Sequence, residues 1–516
     1  VQDATTVQAE RDAQVRRLRK EYPVFRIEDA SADLGPHGVT LRFSFAAGPL
    51  RFRPSVQLTG LSPEEAARVT APTARRIVRA LAIVEAFSYW KALCSPVIEV
   101  ALPAPGTGEL DWWRAFWPGA MGEFFYRNQI GYTAADFLSI RGPLAATERA
   151  DAAGGGADAA KDGADAARYG ADAARYGADA AKGGADAAAG GGDAAKDGAD
   201  GTPLVLFSGG KDSLALARIA AAARGAAPVD FFLYNPDARL RGMTGSLAAG
   251  GRVLEAHRAI LPGLLRLNAA GHPNGHTPFS AYLAFAAMLA GYLRGSGPVV
   301  AGNSRSDDEP NVAAYLGRPV NHQWTKSYEF ETAIGAYRDR WLPGAPGCSS
   351  PLRPLYELQI IASLSGDVDA YLRTASCNRA PAGAWCRSCA KCAWVFLATA
   401  ALFGHDLAIR KIGADMFADP ALAEVYQEMA GLTGTKPFEC TGTEGEVRAA
   451  IRAAGQGRDP GACPALAACL RDPAVAGARP LAAMLAEWGH DELVPAAFLG
   501  QVRKARAEAA ARAWRP

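Results

Sequence analysis

The chain has 516 residues, long enough for two or three domains with sizeable cores. Its 55 Lys and Arg against 53 Asp and Glu leave no basic footprint for nucleic acid, and no apolar run reaches bilayer-spanning length. The charged start, "VQDATTVQAERDAQVRRLRKEY", has no apolar core of a secretory signal, so a cytoplasmic protein with neither nucleic acid nor membrane as partner is expected. Nine cysteines, odd in number and clustered, suit a reducing compartment and a metal site better than a disulfide framework.

Residues 1–147 read as an α+β domain. "GVTLRFSFAAGPLRFRPSVQL" alternates apolar and polar residues, which predicts a hairpin or short meander. One helix is predicted over "SPEEAARVTAPTARRIVRALAIVEAFSYWKALC", with Ser62 and Pro63 as its start signal. The aromatic cluster "DWWRAFWPGAMGEFFYRNQIGY" fits core or interdomain packing better than a ligand wall. Residues 148–201 hold a Gly/Ala/Asp repeat of period seven over 156–200. It contains no Leu, Ile or Val, so a coiled-coil seam has nothing to bury, and it reads as a disordered linker.

Residues 202–400 alternate strand and helix. The strand Leu204–Phe207 and an Ala/Leu-rich helix are followed by the strand in "PVDFFLYNP". A helix over "PFSAYLAFAAMLAGYLRG" then leads into "GPVVAGNSRSDDEPN". This rhythm predicts a parallel sheet with helices on both faces, where the loops after Phe207, Leu233 and Ala301 converge on a ligand. Residues 401–516 read as mostly helical, and "KPFECTGTEGEV" within them yields no chemistry of its own.

Four groups of residues carry chemistry. Ser208, Gly209, Gly210, Lys211, Asp212 and Ser213 lie between strand and helix, where backbone N–H groups and the helix dipole favour an anion. The hexapeptide lacks the spacing of a Walker A loop. Asp307, Asp308 and Glu309 follow a strand end where Mg²⁺ on a nucleotide is expected. In "NHQWTKSYEFE", His322 and Lys326 stand four apart and would share a helix face, there to bind an anion or move protons. Cys386, Cys389 and Cys392 at C-x₂-C-x₂-C spacing, with Cys377 upstream, can close a structural tetrahedron around Zn²⁺, an iron–sulfur cluster being the competing metal.

The hexapeptide resembles the PP-loop of ATP pyrophosphatases, which split ATP between its α and β phosphates. The order of "FSYWKALCSPVIEV", "GEFFYRNQ", "FSGGKDS", "GNSRSDDEPN", "VNHQWTKSYEFE", "SCNRAPAGAWCRSCAKC" and "KPFEC" resembles one family, the ATP-dependent UDP-N-acetylmuramoyl-L-alanyl-L-glutamate epimerases. The resemblance covers about residues 85–145 and 202–447. It implies an adenine nucleotide α-hydrolase-like PP-loop domain that uses ATP and Mg²⁺ to adenylate a UDP-muramoyl dipeptide and invert its terminal glutamate. Ser208 to Ser213 with Asp307 and Asp308 would then hold the nucleotide. Asp212 would place Mg²⁺ or fix the loop, and the base and acid would come from His322, Lys326 or Cys348. The segment "CSSPLRPLYEL" at 348–358 departs slightly from the family pattern, which leaves its role open. The cysteine spacing is also that of the 7-cyano-7-deazaguanine synthases, the alternative reading, against which the long N-terminal unit and the missing basic stripe both count.

Overall fold

A computed structural model describes residues 4–36, 38–102, 106–131, 137–143, 201–225, 227–248, 250–381 and 383–512; the 156–200 repeat lies outside them. The predicted meander is β2 (Gly38–Ala47), β3 (Leu50–Phe52) and β4 (Ser55–Thr59). Val39, Leu41, Phe43 and Phe45 point inward at alternate positions of β2, as the period of two requires. Before it runs β1 (Val24–Gly35), whose mixed polar sequence hid it from the sequence reading.

The single helix predicted from Ser62 is two helices. Ser62 caps Pro63–Ala67 in a reciprocal capping box with Glu65, with Ser62 N donating to Glu65 Oε2 at 2.7 Å. A 3₁₀ turn follows, and Pro72 starts the long helix Pro72–Trp90. Proline has no N–H to continue a preceding helix, and it holds Ala71 extended at ψ 149°.

The sequence reading separates an N-terminal unit from a nucleotide unit, yet among the described residues both share one 11-stranded sheet. β5 (Val97–Val100) and β6 (Ser139–Arg141) extend it parallel to β1. The other half contains β7 (Leu204–Leu206), β8 (Asp230–Tyr234), β9 (Val253–Arg258) and β10 (Val299–Val300), all parallel. The short strand β13 (Cys348–Ser349) pairs parallel with β10 at its edge. The seam is β4 against β9, antiparallel, with Val56 opposite Arg258 and Leu58 opposite Ala256. A separate antiparallel pair, β11 (Val312–Tyr315) and β12 (Arg318–Val320), follows the acidic segment.

Alternate residues of the parallel half feed two cores. Leu204, Phe232, Leu254 and Val299 pack with helices Pro72–Trp90 and Phe279–Arg294. Val205, Phe231, Leu233 and Val300 pack on the opposite face with helices Lys211–Arg224, Glu357–Ser363 and Ala390–Phe403. The C-terminal helix Ala496–Arg512 lies against two of those, so the helical region completes this second layer. β7 has β8 on one side, reached through helix Lys211–Arg224, and β10 on the other. That reversal of strand order opens a crevice beyond the carboxyl ends of the strands. No helix among the described residues is long and apolar enough to cross a membrane.

The aromatic cluster is core, as its composition predicts. Trp113 is fully buried, 5.4 Å from the ring of Phe116 and 5.6 Å from that of Tyr337. Trp113→Ala is expected to cost about 3–5 kcal/mol in denaturant unfolding. A loss below about 1 kcal/mol would show that the ring bears little of the packing.

Candidate functional site

The crevice holds a cavity of about 290 Å³ lined by the ends of β7, β8, β10 and β13. Ser208, Asp212 and Ser213 reach it from the glycine loop, Asn303 from the loop after β10, and Lys326 and Cys348 from further along the chain. Gly209 sits at φ 73°, and a Cβ there would come within 2.5 Å of Leu240 Cδ2. Gly210 starts helix Lys211–Arg224 at its N-cap position, so the loop amides stand at a helix N-terminus as the sequence predicts. Gly302 at the tip of β10 leaves no room for more, since a Cβ would sit 3.3 Å from the Asp212 backbone.

Beneath the loop lies an ion cluster that the sequence does not disclose. Lys211 Nζ is 2.7 Å from Asp212 Oδ1 and 3.0 Å from Glu357 Oε2. Burial disfavours its charge, but the two carboxylates outweigh burial and hold it protonated. Burial pushes the Glu357 carboxyl up to about 7, with Lys211 pulling against it. Trp394 Nε1 donates to the same carboxylate. Glu357 and Arg353 both come from the segment at 348–358 whose role the sequence leaves open. Arg353 is almost fully buried and donates to Glu331 Oε2 at 2.8 Å and to Ser304 O at 2.6 Å. It ties the loop after β10 to the start of helix Tyr328–Trp341.

The acidic residues do not converge as a ligand group. Asp307 accepts from Ser304 N at 2.7 Å and from Gln323 Nε2. Asp308 accepts from Tyr328 N at 2.7 Å and faces Arg353; burial raises its pKa while Arg353 opposes the rise. Glu309 pairs with Lys436 Nζ at 2.8 Å. Each carboxylate fastens a different neighbouring segment.

His322 and Lys326 do not share a helix face. Asn321 Oδ1 accepts from Gln323 N at 2.7 Å, closing a local turn that competes with helix, and Asn311 Oδ1 accepts from His322 N at 3.0 Å from across the β11–β12 pair. A 3₁₀ turn Trp324–Lys326 follows, and the helix begins only at Tyr328, capped by Ser327. His322 Nδ1 lies 2.9 Å from Asn311 Oδ1, and burial pushes its pKa down to about 3, so the ring is neutral. Cys348 lines the cavity, with its thiol pushed up to about 12 by burial and then by Glu331. Lys326 Nζ lies 3.4 Å from Cys440 Sγ. Cys440 belongs to "KPFEC", which the sequence reading quoted without a chemical role.

That segment is where the distant motifs meet. Tyr126 of "GEFFYRNQ" hydrogen-bonds Thr435 at 3.1 Å and its ring lies 5.3 Å from that of Phe438. Asn311 Nδ2 donates to Pro437 O at 2.8 Å. Two distant stretches of sequence thus hold one loop beside Lys326.

Cys377, Cys386, Cys389 and Cys392 bring their sulfurs within 4.8 Å of one another, the four ligands that the spacing predicts. The Sγ–Sγ distances of 3.8 Å for Cys386–Cys392 and 3.5 Å for Cys389–Cys392 approach the ~3.8 Å edge of a tetrahedron with Zn–S bonds of about 2.3 Å. The donor set and its spacing therefore fit a thiolate-bound metal such as zinc.

A family model described as "MurL N-terminal domain" matches residues 16–162 and 173–344, and one described as "MurL C-terminal domain" matches 373–479. The chain is 37% identical over 262 residues to the UDP-N-acetyl-alpha-D-muramoyl-L-alanyl-L-glutamate epimerase of Salinispora tropica, covering 49% of this chain and 56% of that protein. It is 38% identical over 253 residues to the protein of the same name from a Micromonospora strain, covering 47% and 54%. The Xanthomonas oryzae protein of that name is 35% identical over 207 residues, covering 39% and 46%. The matches thus span about half the length of these relatives. No solved structure matches the chain.

Proposed function

Since the chain belongs to the MurL family, we propose that it inverts the terminal L-glutamate of UDP-N-acetylmuramoyl-L-alanyl-L-glutamate after adenylating it with ATP. The supporting observation is that the glycine loop and Lys326 open into one cavity. The α-proton of a glutamate is hard to remove while the adjacent carboxylate is anionic, because the carbanion would sit beside existing negative charge. Adenylation converts that carboxylate into a mixed anhydride, whose carbonyl accepts the electron pair as an enolate; once the α-carbon is reprotonated, water cleaves the anhydride to restore the carboxylate and release AMP.

In this reading the Gly209 and Gly210 amides and the Ser208 and Ser213 hydroxyls hold the leaving pyrophosphate, with the Lys211 charge beneath them. Asp212 lines the cavity and in this reading would hold Mg²⁺, which would offset phosphate charge. Lys326 faces the carboxyl end of the dipeptide and stabilises negative charge developing on its oxygen. The four cysteines would hold zinc in a closed, structural site that takes no part in the chemistry. Incubating the protein with ATP, Mg²⁺ and the UDP-muramoyl dipeptide should yield D-glutamyl product with AMP and pyrophosphate. ADP in place of AMP, or L-glutamyl product from a reaction that consumes ammonia, would overturn the reading, the latter in favour of a nitrile-forming adenylating enzyme.

A further inference from the structure

Resting on that reading, we propose that the Cys440 thiolate, held against the Lys326 ammonium, is the base that exchanges a proton with the substrate's α-carbon on one face. The cavity wall and the loop 436–440 meet at this pair: Lys326 lines the cavity, and Cys440 Sγ is 3.4 Å from its Nζ. A carboxyl group bound at Lys326 would lie against the ammonium that also contacts the thiol. The residues just before Cys440 lead to a second cavity of about 180 Å³, lined by Pro437, Phe438 and Glu439 together with Arg127 and Arg379. Cys440 thus lies between Lys326, which lines the first cavity, and residues 437–439, which line the second.

The alternatives nearby are less suited. Cys348 stands at the cavity with Glu331 beside it, which keeps its proton on. His322 is a ring engaged with Asn311 that burial holds neutral and weakly basic. Around Cys440 the charged neighbours are Lys326, Lys391, Asp307 and Glu439. Burial and Asp307 favour the thiol, whereas the two ammonium groups outweigh them and favour the thiolate. Lys436, though on the same loop, is occupied by Glu309.

The step balances without an oxidant or reductant. The α C–H bond breaks as an S–H bond forms, and the electron pair moves onto the carbonyl oxygen, which Lys326 faces. A proton originating in water then reaches the opposite face of the enolate, and Cys440 returns its own proton to solvent.

The test compares Cys440→Ala with wild type in D₂O, with ATP, Mg²⁺ and the dipeptide present. Wild type should incorporate deuterium at the glutamate α-carbon. The variant should lose that exchange by at least about a hundredfold while releasing pyrophosphate within about tenfold of wild type. Exchange in the variant within about threefold of wild type would overturn the assignment and leave the epimerase reading standing. Absence of exchange in wild type would overturn the epimerase reading itself. Alkylation by iodoacetamide, read at the Cys440 peptide by mass spectrometry, is independent of whether Cys440→Ala folds. In Lys326→Gln the pH at which Cys440 becomes reactive should rise; an unchanged profile would contradict the pairing.

Discussion

Replacing Lys211 by Ala is expected to lower substrate-dependent AMP formation by about 10²–10³-fold, the usual effect of removing one preorganised charge from a transferring phosphate. The structure adds a second consequence that the motif alone does not disclose. The Lys211 side chain is 7% exposed and the Glu357 side chain 4%, so the variant leaves a buried carboxylate without its cation. Breaking such a pair costs about 3–5 kcal/mol. Glu357 has its folded pKa raised to about 7, above the roughly 4.3 of an unfolded chain. Its contribution is therefore most favourable below the unfolded value and is lost as pH rises through the folded one. Lys211→Ala should accordingly be more destabilised at pH 8 than at pH 5, measured by denaturant unfolding. The double variant Lys211→Met, Glu357→Gln should recover much of the stability without recovering AMP formation. Full activity in either variant would remove Lys211 from the nucleotide site.

The second large effect concerns the thiolate cluster. Elemental analysis should find about one metal ion per chain, bound tightly enough to survive gel filtration. A four-thiolate zinc site carries apparent binding energies of about 10–16 kcal/mol in small domains, all of it coupled to folding. Cys389→Ser removes a ligand candidate but leaves a serine to cap the buried helix Ala390–Phe403, so its effect reports the metal site rather than the cap. Loss of metal together with several kcal/mol of stability is expected, and a chelator should reproduce it in the wild-type protein. A preparation free of metal and fully stable would contradict the assignment.

Particular residues show where sequence reasoning succeeds and where it stops. The strand before Ser208 and the helix after it follow from an apolar run, a glycine turn and a return of helical spacing, and the structure reproduces each. The four cysteines declare themselves through spacing, because a tetrahedral site built from one chain segment constrains that spacing. β10 and β13 are two residues long, too short for periodicity to register, although β13 and the residues just after β10 line the cavity. β9 is "VLEAHR", whose mixed polarity reflects its pairing with β4 at the seam between the two halves.

Glu357, Arg353 and Cys440 carry no local pattern. Each acquires its role from partners far away in sequence, Lys211, Glu331 and Lys326 respectively. The expected helix at 321–331 fails for the opposite reason. Asn321 closes a local turn through Gln323 N and Asn311 reaches His322 N from across the β11–β12 pair, bonds that i, i+4 counting ignores. The same kind of bonding explains Asp307, Asp308 and Glu309, whose acidity reads as a cation site in sequence and as anchorage in the structure.

The central claim is that ATP is cleaved in order to make an α-proton removable, and deuterium exchange tests it most directly. With wild-type protein in D₂O, the dipeptide should gain deuterium at its glutamate α-carbon and appear as the D-epimer when ATP and Mg²⁺ are present. Replacing ATP by its α,β-methylene analogue, which cannot release pyrophosphate, should abolish both the exchange and the inversion. Exchange that proceeds equally well with the analogue, or without any nucleotide, would contradict the account.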